Sequence, residues 1–477
     1  MIPVKLLWTP HPHRGGFAIV DHTDGASLEG VRIVYDFLDS LGLRATKTVW
    51  AFEPEGPSGI PPLPASVLRG VTLETRAYRE YCAELVRRGF EIVLHGASAG
   101  NNRRDRTLAA FERLERELKT GALTYVCHAK NAENPYWQAR AVDRSPLRWV
   151  MKLVASRHRC SGEIPTSPYF WGDVCRERVR YVRLFRTAQL NTLAANPSMP
   201  YFEREKPYVR GWFTMTDRSL GDATRPEALA MLSHENGLCI LRQHLARHAD
   251  PESWSVRPDF EAAMRRLRGA PDLWVDTAGA MLDRLKLIQG VVLAYRDSNL
   301  WVVNLNAEPV ERFQLEMGER PRPQGRNIGI EYHDGVAVIE RLPPASVTYL
   351  DCSAPLFIAD RSAVELDGEL HGRWDFGHGV CWLNFGPSSW QAAGRTLAPA
   401  TFAVAHEPGC AEVQAMSQAP AAEITRLCLG HARLLMPRRR DDRRDDRRDD
   451  RTSRGPRLAE RSQPGQPETK RWRTGAR

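Results

Sequence analysis

A recurring order of apolar strand, polar residue and helix fills the first 290 residues and limits what this chain can fold into. Residues 17–20, Phe-Ala-Ile-Val, are a short unbroken apolar run of the kind a fully buried strand shows. The next segment sets Leu28, Val31, Val34, Phe37, Leu38 and Leu41 at helical spacing and stops at Gly42. Residues 44–50 read as the next strand. A second unit carries Leu73, Tyr78, Tyr81 and Leu85 on a helix that closes at Gly89, after which strand 90–94 runs into His95. Asp105 is placed to cap a helix bearing Leu108, Phe111, Leu114 and Leu118, and strand 123–127 then leads into His128. Residues 238–241 precede His244, a helix with Phe260, Met264 and Leu267 follows, and strand 273–275 leads to a last helix at 278–288. Strands alternating with helices build a parallel sheet or barrel, so an α/β fold with a (β/α) barrel-like domain is expected over residues 1–289.

From Gly290 the pattern turns to short alternating segments such as 291–295, 300–304, 328–332 and 336–339, punctuated by Gly, Pro and Asn-Ala turns. This spacing predicts a smaller antiparallel β-sandwich domain over 290–436. Residues 437–477 repeat Arg-Arg-Asp-Asp three times and then run through Ser, Gln, Pro and Gly. Almost nothing apolar is left there to offset chain entropy, and a disordered tail is expected.

The net charge of +9 resides mostly in that tail, where 15 Arg and Lys face 8 Asp and Glu; the excess of seven leaves +2 for the rest. A nearly neutral body excludes a phosphate-binding groove, so no specific nucleic acid partner is expected. The nine cysteines are scattered with no Cys-x-x-Cys pair, which argues against a thiolate zinc site or a disulfide framework. No basic segment leads into an apolar run at the start, and no stretch reaches the roughly 18–20 apolar residues a membrane span needs. A soluble, cytoplasmic protein without a membrane span is expected.

The candidate chemistry begins at Val20-Asp21-His22-Thr23-Asp24-Gly25, where the first strand gives way to its loop. Side chains at the C-terminal ends of parallel strands converge on one face. Two carboxylates and an imidazole in four positions repel or misprotonate unless a cation or partner compensates them, although the segment also reads as a polar turn with an Asp helix cap. His95, His128 and His244 each follow a strand at the equivalent position. Singly, each reads as a loop residue. Together with Asp21 and Asp24 they suit a catalytic divalent ion, which takes about three protein ligands and an open position for water.

The stretch 17–50, with Asp24-Gly25 after its first strand and Gly42-Leu-Arg-Ala-Thr46 opening the next, resembles the start of polysaccharide deacetylases of the NodB-homology family. Residues 87–96, Arg-Arg-Gly-Phe-Glu-Ile-Val-Leu-His-Gly, are similar to that family's second motif, which leads to a metal-binding histidine. Residues 237–244 and 273–277 are similar to its late strand, which ends in a histidine, and to its closing strand and helix. The resemblance runs in order over 15–288. It implies removal of an acyl group from a carbohydrate, with a divalent ion, zinc as the expected metal, on Asp24 and His95; His128, which ends the next strand, is the candidate for the third ligand. It further implies Asp21 as the base and His244 as the acid. Two departures stand out: Thr23-Asp24 replaces two adjacent aspartates, and the family's second histidine falls on Ala99. They leave open a carbohydrate-binding protein that has lost catalysis and a glycoside hydrolase using Asp21, Asp24 or Asp173 as paired carboxylates. Residues 169–173 and 190–201, rich in aromatic and amide side chains, read as groove lining or as loop packing.

Overall fold

A computed structural model describes residues 1–55, 69–121, 124–128, 131–137, 160–203, 205–323, 329–344 and 346–358, and strand segments between 363 and 428. The expected tail at 437–477 lies outside the described residues. Two burial patterns distinguish two kinds of strand. Strand β1 (Ile2–Leu7) alternates buried and exposed residues over its first half, as a strand with one wet face does. Strand β2 (Gly15–Asp21) is buried at every position, as a strand wrapped by helices must be.

On one edge β2 pairs in parallel with β8 (Leu238–Gln243), from Gly16 against Leu238 to Asp21 against Gln243. On the other it pairs with β3 (Thr46–Val49) at Val20 and Asp21. The sheet continues through β4 (Glu91–Leu94), β5 (Thr124–Tyr125), β6 (Tyr181–Thr187) and β7 (Trp212–Thr216) back to β8, which closes a seven-stranded parallel barrel. The short strand Leu273–Val275 pairs beside the start of β2. Strands β6 and β7 have no counterpart in the sequence reading above.

The connecting helices stand close to their expected places. Helix Leu28–Ser40 is capped by Ser27, whose Oγ accepts from the Gly30 N–H, so neither Asp21 nor Asp24 serves as its cap. It ends at Leu41 and turns through Gly42, whose φ of +69° favours glycine. Helix Arg104–Leu118 starts after Arg103. Asp105, expected as its cap, lies instead in the first turn, where its charge faces the unpaired N–H groups.

Beyond residue 290 the described pairings are antiparallel except for two: β1 with Leu356–Ile358, and Val291–Arg296 with Ala363–Leu366. The β-rich part also takes in the start of the chain, because β1 pairs with strand Val310–Met317. Residues Met1–Leu435 accordingly form one compact unit. No described helix is long and apolar enough to cross a membrane.

Candidate functional site

Strand parity decides which side chains enter the barrel. Phe17, Ile19, Ile92, Leu94, Tyr125, Val182, Cys239 and Leu241 pack in the cluster shared with the helices. Their alternates Ala18, Val20, Val93, Val126, Tyr181, Met215 and Ile240 fill a separate cluster inside the barrel. Continuing each inner series by two residues beyond the apolar filling gives His22 after Val20, His95 after Val93, His128 after Val126 and His244 two places past Arg242. Trp50 closes one side, with its ring stacked at 6.2 Å from His95 and edge-on at 5.5 Å from His128.

The same parity removes Asp21 from the mouth. It shares the phase of Phe17 and Ile19, so it points to the helix side, fully buried beside Lys47 at 3.0 Å. Tyr35 donates to it at 3.0 Å and the Leu245 N–H at 2.7 Å. Both of its oxygens are engaged away from the histidines. The expected role of Asp21 as base is therefore corrected: a one-residue change of phase on a strand moves a side chain to the opposite face.

Asp24 is the focus of the site. His128 Nε2 lies 3.0 Å from Oδ1, and His95 Nε2 lies 3.4 Å from Oδ2. His22 Nδ1 and His244 Nδ1 approach Oδ2 at 3.7 and 3.8 Å. Among the described residues, His22, Asp24 and His95 form the group whose ligand atoms all lie within 4.8 Å of one another. The structure thus gathers Asp24, His95, His128 and His244, and adds His22, which the sequence reading left without a role. Its signal was the two-residue step from Val20, since residues two apart along a strand share a face.

Hydrogen bonds fix the tautomers. His95 Nδ1 lies 2.7 Å from the Val126 carbonyl and must donate to it, which leaves Nε2 facing Asp24 as a lone pair. His128 Nδ1 lies 3.1 Å from Asn131 Oδ1. Asn131 is held in that orientation because its Nδ2 donates to the Ser98 and Gly100 carbonyls and to Glu133 at 3.2, 2.8 and 2.9 Å. A neutral His128 therefore also turns a lone pair toward Asp24. His244 is the reverse case: Arg242 Nη2, which can only donate, lies 3.0 Å from Nε2, so the ring proton sits on Nδ1 and faces the site.

Burial is the largest influence on Asp24 and opposes its charge, but the ring N–H groups that His128, His22 and His95 present to it when protonated prevail and hold the carboxyl far below its usual range. Burial pushes His95 down to about 4 despite the pull of Asp24. His22 is lowered by burial and then by His95, and His244 by burial. These three rings are neutral near pH 7.

Other expected site segments serve packing. Trp171 is buried and donates from Nε1 to the Glu133 carbonyl at 2.6 Å. Asp173 forms a bidentate pair with Arg104 on the surface, with both bonds 2.7 Å, and is not a partner carboxylate of Asp24. Asn191 caps helix Thr192–Ala195, and Asn196 donates to Thr214 at 3.1 Å.

Fold and site together define a closed parallel barrel with a histidine and aspartate cluster at the C-terminal ends of its strands. No family model matches the sequence, and no curated protein does. Among solved structures the chain is similar to Puue allantoinase, at 12% identity and a TM-score of 0.31 over 57% of this chain and 91% of that one. It is similar to Agd3, described as a carbohydrate deacetylase, at 9% identity and 0.36 over 72% and 66%. A family 4 acetyl xylan esterase from Clostridium thermocellum, in complex with cobalt, aligns at 14% identity and 0.17 over 26% and 65%. All three scores fall below 0.5, and the barrel is defined here by its own strand pairing.

Proposed function

We propose that this chain is a metal-dependent hydrolase that removes an acyl group from a carbohydrate, with Asp24, His95 and His128 as the metal ligands and His244 as the acid. One observation carries the reading: two imidazole lone pairs, each fixed by a hydrogen bond on the far side of its ring, converge on the two oxygens of one buried carboxylate. Lone pairs facing each other at 3.0 and 3.4 Å are stable only with a proton or a cation between them. The low pKa of His95 disfavours the proton there. Ligand atoms around a tetrahedral ion with bonds of about 2.0–2.1 Å lie about 3.3 Å apart, close to each of the two Asp24–histidine separations, and His22 joins Asp24 and His95 in a set whose ligand atoms all lie within 4.8 Å, which supports an ion such as zinc there.

A divalent ion would polarise the acyl carbonyl and make a bound water nucleophilic near neutral pH. The chain's own groups supply the rest. Val126 and Asn131 orient the ligands, as outer partners of metal-binding histidines do. Trp50 walls the site from water. His244 faces the site through Nδ1, 3.8 Å from Asp24 Oδ2, and in its imidazolium form would protonate the leaving oxygen or nitrogen and then recover a proton from solvent. His22 adds a neutral ring within reach of the same carboxylate. Ala99 offers no ligand where the related motif has its second histidine, and His128 and His22 supply imidazoles in its place. Metal content after chelator-free purification tests the reading. Wild type should carry one ion per chain, and Asp24→Ala and His95→Ala should carry none while keeping their far-ultraviolet circular dichroism. Stoichiometric metal in both variants, or none in wild type, overturns it in favour of a carbohydrate-binding protein.

A further inference from the structure

The ring of side chains above the barrel filling is divided by charge. Strands β2 to β5 contribute His22, Trp50, His95 and His128, whereas the far side is furnished with guanidiniums. Arg183 follows Tyr181 in the inner phase of β6, and Arg242 follows Ile240 in that of β8. Arg242 reaches His244, and Arg186 lies near the end of β6. Against these three arginines the described residues set Asp217, 2.9 Å from Arg186 and 3.6 Å from Arg242, and Asp24, whose charge also reaches Arg242.

Arg183 is the informative member. It is 4% exposed, yet no described carboxylate pairs with it. Its Nη2 donates to the Cys127 carbonyl at 2.8 Å, its guanidinium lies 4.6 Å from the centre of the Trp137 ring, and its Nε is buried with no hydrogen-bond partner. Desolvation lowers its pKa to about 10, and the charge of the more distant Asp217 offsets only part of that. A guanidinium stays in such a place at a cost unless an anion completes it. The divalent ion proposed above adds positive charge to the same mouth.

We propose that the substrate is an acidic sugar, and that Arg183 and Arg242 receive its carboxylate on the β6–β8 side while the acyl group lies over Asp24. A planar guanidinium with free N–H groups fits a carboxylate in a way that a neutral hydroxyl cannot match. The inference rests on the hydrolase reading for the placement of the acyl group. The anion site itself does not require the ion.

The test follows thermal unfolding of the full chain in EDTA, so that no metal can bind a carboxylate, with D-glucuronate, D-glucose and inorganic sulfate at matched ionic strength. Glucuronate should raise the midpoint by on the order of 2 °C at ten times its dissociation constant, and glucose should leave it unchanged. Arg183→Met, which keeps an apolar stem on Trp137, should abolish the response, and Arg242→Met should weaken it. Should Arg183→Met fail to fold, Arg183→Lys takes its place and should respond more weakly than wild type. Equal responses to glucuronate and glucose, a response to sulfate alone, or a wild-type response in these variants overturns the inference. Metal analysis of the same preparation without EDTA keeps the two readings apart. Absence of metal with a glucuronate response defeats the hydrolase reading alone, and metal without that response defeats this one.

Discussion

Replacing Asp21 by Asn tests whether that carboxylate serves structure or catalysis. The Asp21 and Lys47 side chains are both fully buried, with Nζ 3.0 Å from Oδ2. Lys47 Nζ has no other described partner, so the substitution strands an ammonium in the interior. The amide also replaces a charged acceptor for the Tyr35 hydroxyl and the Leu245 N–H. Breaking a buried pair by removing one partner costs about 3–5 kcal/mol, more than the about 1 kcal/mol typical of a surface pair. Asp21→Asn should therefore lose about 3–5 kcal/mol in equilibrium denaturant unfolding while keeping the metal content of wild type. Lys47→Met should cost a similar amount, and the double variant Asp21→Asn/Lys47→Met should recover most of it, because no uncompensated charge remains. A single variant within about 1 kcal/mol of wild type that has nonetheless lost hydrolysis would refute the argument and return Asp21 to the role of base.

The low pKa of His95 gives a pH dependence whose sign is fixed. Because the folded value of about 4 lies below the ordinary 6.5, the unfolded chain binds more protons between these limits, and the metal-free protein should lose stability as pH falls from 6.5 through 4. Denaturation midpoints of His95→Gln across that range should show a flatter slope than wild type. Asn131→Leu removes the acceptor for His128 Nδ1 and should weaken metal affinity about 10–100-fold in competition with a chromogenic chelator, with little change in fold. Gly162→Ala puts a methyl against the Glu133 carbonyl and the Trp171 ring, where backbone has to move; a loss of about 1–3 kcal/mol in unfolding is expected, along with weaker metal binding through Glu133 and Asn131.

The alternation of strand and helix, the helix ends at Gly42 and Gly89, and the position of three histidines just past apolar runs were legible along the chain. These are local signals, carried by hydrophobic period and by the few residues that tolerate positive φ. The sequence also pointed to Asp24, His95, His128 and His244, because a side chain that follows a buried strand has few places to go. Tertiary structure alone decided the rest. Strands β6 and β7 are parts of a barrel wall whose burial depends on neighbours far along the chain, so Arg183 could not be placed from its own segment. β1 joins the β-rich sheet through a partner more than 300 residues away. Asp21 and His22 are adjacent in sequence, yet barrel closure puts one against Lys47 and a helix and the other in the mouth, since each step along a strand reverses the face and only the paired strands define which face is inside.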